Sequence, residues 1–167
     1  VSAVCVACGL AGAAAAQEGL PDYPDCLARA VAHFEMEFSR VGLAGEREDF
    51  EIVSRERVEY CGTLAIVACD RSDAPLACQA ELAARQWALR DAVLAGLPAP
   101  EAVRGDPVWA EGLYPTLWDV AHGFSAGPDC AGADEVYAAW CETRAASGKL
   151  AGAVALWILA TWGLFAA

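Results

Sequence analysis

The chain has 167 residues, of which 57% are hydrophobic, and its 23 acidic and 11 basic side chains give a net charge of −12. The length is that of one domain. The hydrophobic fraction excludes an intrinsically disordered chain, and a single lysine, Lys149, excludes the clustered basic side chains of a nucleic-acid-binding protein. All charges lie between Glu18 and Lys149, so two uncharged ends flank an acidic middle segment.

Residues 1–16 have the composition of an export signal. The segment is apolar, and Ala14 and Ala16 meet the preference for small residues before a cleavage site. Cys5 and Cys8 have C-x-x-C spacing but fall inside this segment, and we predict no chemistry for them. The cationic stretch that begins a typical signal is missing. An alanine-rich helix packed inside the domain is therefore the alternative.

Two long helices are predicted in the first half of the acidic segment. The first begins at Pro24-Asp25 with Asp25 as N-cap, and Gly42 ends it. Its apolar residues recur at intervals of three or four, at Leu27, Val31, Phe34, Phe38 and Val41. The second covers about 46–70. Its predicted inward residues are Phe50, Val53, Tyr60, Leu64 and Val67.

A third helix is predicted after the turn at 70–75, with Asp73 as its cap and Pro75 in its first turn. It runs to about Leu94, before Gly96 and Pro98. Two apolar lines follow it, Leu76, Ala80, Ala83 and Trp87 on one and Leu82, Leu89 and Val93 on the next.

The pattern of the last third of the segment is less regular. Pro115 interrupts a helical pattern over 109–124 and leaves that stretch ambiguous. Asp129 or Asp134 then begins a final helix that carries Val136, Tyr137, Trp140 and Cys141. No stretch alternates as a strand does, so the sequence predicts an all-α, disulfide-tied bundle of four or five helices.

Residues 150–167 carry no charge and approach the length of about 20 residues that crosses a bilayer. Small residues followed by a hydrophobic tail are also the layout of a lipid-anchor signal, with Ala146 or Ser147 as the attachment site. We therefore predict attachment to a membrane through 150–167, as a peptide or a lipid anchor. A buried C-terminal helix is the alternative. The predicted organisation is a signal at 1–16, a helical domain at 17–149 and an anchor segment at 150–167.

Six cysteines remain once the signal segment is removed, an even number that predicts three disulfides in an exported domain. Fifteen pairings are possible for six cysteines. A helix from Cys61 to Cys69 would separate the two residues by about 12 Å, beyond the limit of about 7 Å for a disulfide. We therefore expect each to pair with another segment. The predicted disulfide cysteines are Cys26, Cys61, Cys69, Cys78, Cys130 and Cys141.

No catalytic motif is found, and the residues that could carry chemistry have simpler interpretations. His33 and Glu37, with Glu35 beside them, share a helix face as metal ligands would, but a solvated helix surface explains them better. His122 beside Gly123 suits a helix end. Trp87, Trp109, Trp118 and Trp140 are predicted to lie in the core rather than around a ligand. We predict no enzyme activity, no metal and no cofactor.

The stretch from Cys61 to Cys69, followed by Cys78-Gln-Ala-Glu-Leu82, resembles the helical N-terminal domain of repulsive guidance molecules. In that domain a cysteine begins an alanine- and leucine-rich helix, a second follows about two turns later, and a third begins a helix after a short polar turn. The resemblance covers residues 26–97. More loosely, it extends to the cysteine-rich modules of neurotrophic-factor co-receptors. It implies a helical module at the cell surface that binds a protein ligand.

The sequence therefore predicts a binding module displayed at the extracellular or periplasmic face of a membrane. Its acidity favours a protein ligand with a basic surface. Two other functions remain open. One is an accessory subunit of a larger membrane complex, and the other is an acidic hydrolase whose carboxylates assemble only in the folded protein.

Overall fold

The computed structural model describes residues 22–44, 55–105, 108–123 and 130–161. These ranges contain five α-helices and no strands, which confirms the all-α prediction. Three cysteine pairs, two of them between neighbouring helices, tie the bundle by disulfides. The helices are α1 (Tyr23–Ala44), α2 (Arg55–Asp70), α3 (Pro75–Ala95), α4 (Tyr114–His122) and α5 (Glu135–Thr161). Residues 1–16, including Cys5 and Cys8, lie outside the described residues.

Helix α5 is the central element of the bundle, and α2, α3 and α4 pack around it. Helix α5 begins after Asp134, one of the two predicted start positions. The Asp134 carboxylate caps the helix by accepting a hydrogen bond from the Tyr137 backbone N–H at 2.8 Å. Its C-terminal half is buried on nearly every side. The large side chains there with at most 5% exposure are Leu150, Val154, Leu156, Ile158 and Leu159. A helix surrounded by other helices is apolar all round.

The described side chains of the predicted anchor segment, at 150–160, therefore belong to the hydrophobic core. This agrees with the alternative prediction of a buried C-terminal helix. Residues 150–161 continue the helix that begins at Glu135, so α5 runs through position 149 without a break. Lys149 turns back into the protein, where its Nζ donates a hydrogen bond to the Val120 carbonyl oxygen at 3.1 Å. Within the described ranges, no helix is both long enough and apolar enough to cross a membrane.

The two predicted lipid-attachment residues are buried in the structure. Ala146 and Ser147 lie in the middle of α5, with 0% and 4% exposure. A lipid on either residue would replace the buried half of the central helix. The small side chains have a packing role instead, because they lie where α5 meets its neighbours.

The six predicted cysteines form three disulfides, and Cys61 and Cys69 do not pair with each other, as predicted. Cys26–Cys61 joins α1 to α2, and Cys69–Cys78 closes the turn between α2 and α3. Cys130–Cys141 ties the segment before α5 to that helix. Three disulfides in a domain of this size indicate an oxidising, extracellular environment.

The predicted inward face of α2 is wrong. Tyr60 is 60% exposed, and Leu64 and Val67 are only half-buried, while Phe50 and Val53 lie outside the described residues. The buried face instead consists of Val58, Cys61, Gly62, Ala65, Ile66 and Cys69. Disulfides hold both cysteines inward, and the small residues between them allow close approach to α5.

The helix boundaries differ from the predicted ones at three positions, Asp25, Gly42 and Asp73. Asp25 lies in the first turn of α1 and is not its cap, and α1 continues past Gly42 to Ala44. Ala74 is the N-cap residue of α3, without a side-chain cap from Asp73, whereas Pro75 does begin the helix.

Pro115 lies in the first turn of α4 and does not interrupt the helix. The chain enters from a π-helical turn at Val108–Leu113, and Pro115 occupies the first turn, where a missing N–H costs no helical hydrogen bond. Gly123 ends the helix with a φ of 101°, and its N–H bonds to the carbonyl oxygens of Asp119 and Val120.

A cluster of buried polar side chains lies where α2, α3 and α5 meet. Gln79, Gln86, Thr143 and Ser147 are each at most 4% exposed. Thr143 donates to the Gln79 carbonyl oxygen at 3.1 Å, and the Gln79 amide donates to the Asp70 carboxylate at 2.6 Å. The sequence analysis did not identify this cluster, because glutamine is ordinarily a surface residue.

Replacing Gly62 with alanine should destabilise the protein. A Cβ at position 62 would overlap Ser147 Oγ and lie 2.7 Å from Ser147 Cβ. Overpacking of this kind lowers the free energy of unfolding by about 1–3 kcal/mol, which urea unfolding measures. Gly148→Ala is the matched control, since nothing lies within 4 Å of a Cβ there. That variant should be about 0.5–1 kcal/mol more stable. Equal stability of both variants would contradict the close contact.

Tyr114 should make the protein sensitive to alkali. Its ring is fully buried, its hydroxyl donates to the Pro98 carbonyl oxygen at 2.6 Å, and burial raises its pKa from 10.0 to about 12. The unfolded chain loses this proton first, so the stabilisation is complete below pH 10.0 and is lost as the pH rises toward about 12. Urea unfolding measures the free energy of unfolding across this pH range. That free energy should fall less for Tyr114→Phe than for the unsubstituted protein. An equal fall in both would contradict a role for the Tyr114 hydroxyl.

Candidate binding groove

Helix α1 presents two adjacent stripes to the rest of the protein. One stripe contains the buried Tyr23, Ala30 and Phe34 and packs into the core. The other contains Leu27 and Val31, which are only half-buried. Leu27, Val31 and Phe34 lie on a single apolar stripe in the prediction. Phe34 is fully buried, whereas Leu27 and Val31 pack against the edge of the core and also line an open groove.

The groove lies between α1 and α3, with α2 residues lining one end of it, and one aromatic–cation pair crosses it. The Arg85 guanidinium lies over the Tyr23 ring, with its Cζ 5.8 Å from the ring centroid. Tyr23 is 8% exposed, and burial raises the pKa of its hydroxyl, while Gln86 and Arg85 act in the opposite direction. The pair thus links the two walls of the groove.

Hollows of about 450 Å³ lie on either side of this pair. The first is bounded by the Cys69–Cys78 disulfide, Leu82, and the two alanines Ala65 and Ala68. The second is lined by Pro24, Leu27, Ala28, Val31, Ala32 and Leu89. Together we call them the α1–α3 groove. Its walls are largely apolar, which suits contact with an apolar surface of a ligand.

Carboxylates lie along the rim of the α1–α3 groove. Asp22 and Glu81 belong to the first hollow and Glu35 to the second. Within the described part of the chain, none of the three forms an ion pair, and Arg85 already faces the Tyr23 ring. The rim is therefore electrostatically suited to a cationic partner.

The histidines and their acidic neighbours do not form a metal site in the residues that the structure describes, where no group of three or more such ligands occurs. His33 is half-buried on α1, and Glu35 lines the groove. His122 is exposed at the end of α4, where its Nδ1 lies 2.8 Å from the Trp118 carbonyl oxygen. This agrees with the helix-end interpretation of His122.

The tryptophan side chains that the structure describes lie at the edge of the core. Trp118 and Trp140 are half-buried and pack against it, and the side chain of Trp109 is outside the described residues. Trp87 is also half-buried, and its Nε1 donates to the Glu142 carboxylate at 2.6 Å. Tyr137 is 48% exposed and stacks on Trp140, with ring centroids 5.4 Å apart.

Sequence reasoning missed the two residues that define the groove, Tyr23 and Arg85. Tyr23 precedes the predicted start of α1, and Arg85 looks like an ordinary surface arginine on α3. A signal for the groove was nevertheless present. Pro24, Leu27, Val31 and Glu35 recur at the spacing of one helix face.

Comparison with protein-family models, with curated proteins and with solved structures gives no match to this chain. The resemblance of residues 26–97 to repulsive guidance molecules accordingly stays a prediction.

Proposed function

We propose that this protein is an exported, non-enzymatic binding module whose ligand is a protein with a basic surface. The observation that carries the proposal is the α1–α3 groove, which combines apolar walls with three rim carboxylates. The three disulfides support a function outside the cell, because disulfides form and persist in oxidising compartments. The net charge of −12 would draw a basic partner toward the module.

The proposal does not include attachment to a membrane through 150–167. The described part of that segment contributes buried side chains to the core, including Leu156 and Ile158 at 0% exposure. Binding at a cell surface or in the periplasm requires only export.

Affinity capture with the immobilised full chain tests the proposal. Extracellular fluid and cell-surface proteins are applied at low and at high salt, and each captured protein is then purified and titrated against the module. We expect a basic protein whose affinity falls as salt rises, because screening weakens exposed charge pairs. A ligand that binds equally at both salt concentrations, or the absence of any direct binder, would contradict the proposal.

An accessory subunit of a larger complex is the second candidate function. The observation that favours it is the exposed apolar surface on α5, where Val136 is 62% and Tyr137 48% exposed. Such a subunit would co-purify with one partner in constant stoichiometry, and Tyr137→Ser would weaken that association. Groove substitutions would leave it unchanged.

A further inference from the structure

We infer that the α1–α3 groove binds an amphipathic helical segment of the partner, with apolar residues on one face and lysine or arginine at its flanks. This inference rests on the proposed function and specifies the chemistry of the ligand. Its basis is the shape of the groove, the position of its charges and the small residues on its α1 wall.

The α1 wall has the length and repeat of a helix-binding surface. Pro24, Leu27, Val31 and Glu35 line one side of the second hollow. From the first to the last of these, the helix axis rises about 16 Å, or about three turns. A partner helix of similar length could place side chains at i, i+3, i+4 and i+7 against this wall.

Small residues make close approach of a second helix possible. Ala28 and Ala32 lie on the same wall and are both exposed. Larger residues at these two positions would fill the space above Leu27 and Val31. The alanines leave that apolar surface open, as helix packing at interaxial distances of about 8–10 Å requires.

The charges determine which partner fits. Asp22 and Glu35 lie in different hollows, on either side of the Tyr23–Arg85 pair, and Glu81 lies on the opposite wall from Asp22. Cationic residues at the flanks of a bound helix would meet these carboxylates. The central part of that helix would meet apolar side chains and the face of the Arg85 guanidinium. An acidic helix would be repelled at the rim.

The test uses the full chain and designed helical peptides of about 18 residues, or about five turns. The probe carries leucine on one face and lysine elsewhere. One control peptide has glutamate in place of lysine, and another has serine in place of leucine. Fluorescence anisotropy of a labelled peptide measures the dissociation constants. We expect the leucine–lysine peptide to bind at least about tenfold more tightly than either control, a difference of about 1.4 kcal/mol.

Two matched variants decide where the peptide binds. Ala32→Trp fills the groove from an exposed position on α1, and Ala80→Trp adds the same side chain at an exposed position on α3 outside the groove. We expect Ala32→Trp to weaken binding by about tenfold or more and Ala80→Trp to leave it unchanged. Circular dichroism and thermal melting check that both variants remain folded. Glu35→Gln, which removes one rim charge, should weaken binding and reduce its dependence on salt.

Equal binding by the Ala32→Trp and Ala80→Trp variants would show that the peptide is held by diffuse acidity, and would overturn the groove assignment. Failure of the leucine–lysine peptide to bind would overturn it too. Neither result would contradict the proposed function, because affinity capture of a natural basic ligand tests that function separately. Loss of both peptide binding and ligand capture would contradict both proposals.

Discussion

Ending the chain at Gly148 is expected to abolish folding. The deletion removes the buried half of α5, around which α2, α3 and α4 pack. Burying each large apolar side chain stabilises a protein by about 1.5–3 kcal/mol. The loss of Leu150, Val154, Leu156, Ile158 and Leu159 therefore amounts to roughly 10 kcal/mol. This is comparable to the whole free energy of unfolding of a typical domain, about 5–15 kcal/mol.

Circular dichroism and size-exclusion chromatography of the truncated chain measure this effect. We expect loss of cooperative thermal unfolding, together with aggregation. A soluble product with native helicity and a cooperative transition would contradict the central position of α5. It would favour a membrane anchor at 150–167, because an anchor can be removed without loss of the fold.

A matched pair of valines on α5 separates burial from helix propensity. Val154 is 5% exposed and Val136 is 62% exposed. Val154→Ala should lower the free energy of unfolding by about 2 kcal/mol, from lost burial and the cavity left behind. Val136→Ala should change it by less than about 0.5 kcal/mol. Equal effects of the two substitutions would contradict the burial of the C-terminal half.

Removing the disulfide between α1 and α2 is expected to have the second largest effect. Cys26 and Cys61 are 35 residues apart, whereas the other two pairs are separated by 9 and 11 residues. In the chain-entropy model, the longer loop contributes about 4 kcal/mol and each shorter one about 3 kcal/mol. The paired variant Cys26→Ala/Cys61→Ala should therefore be the least stable of the three paired variants in urea unfolding.

Peptide mapping without reduction gives an independent check of this connectivity. The expected linked peptides contain Cys26 with Cys61, Cys69 with Cys78, and Cys130 with Cys141. Any other linkage would contradict the packing of α1 on α2. The Cys26–Cys61 variant should also lose peptide binding before it unfolds globally, because α1 supplies one wall of the groove.

Part of the candidate site could be predicted from the sequence. The spacing of Leu27, Val31 and Phe34 predicted an apolar side of α1, and the excess of acidic residues predicted a basic partner. The groove itself could not be predicted. Periodicity shows which residues share a helix face, but only the neighbouring helices determine which part of that face remains uncovered. Arg85 lies across from Tyr23 because α1 and α3 both pack on α2, and neither residue indicates this contact locally.

The sequence by itself determined the helical class, a last helix that begins at Asp129 or Asp134, and the participation of six cysteines in three disulfides. These features depend on local patterns, namely helical spacing, capping and an even cysteine count. Only the tertiary structure decided whether the uncharged residues 150–160 lie in a protein core or in a bilayer. Both surroundings select the same apolar side chains, because both exclude water. Here α2, α3 and α4 supply those surroundings, and residues 150–160 are half-buried or buried among them.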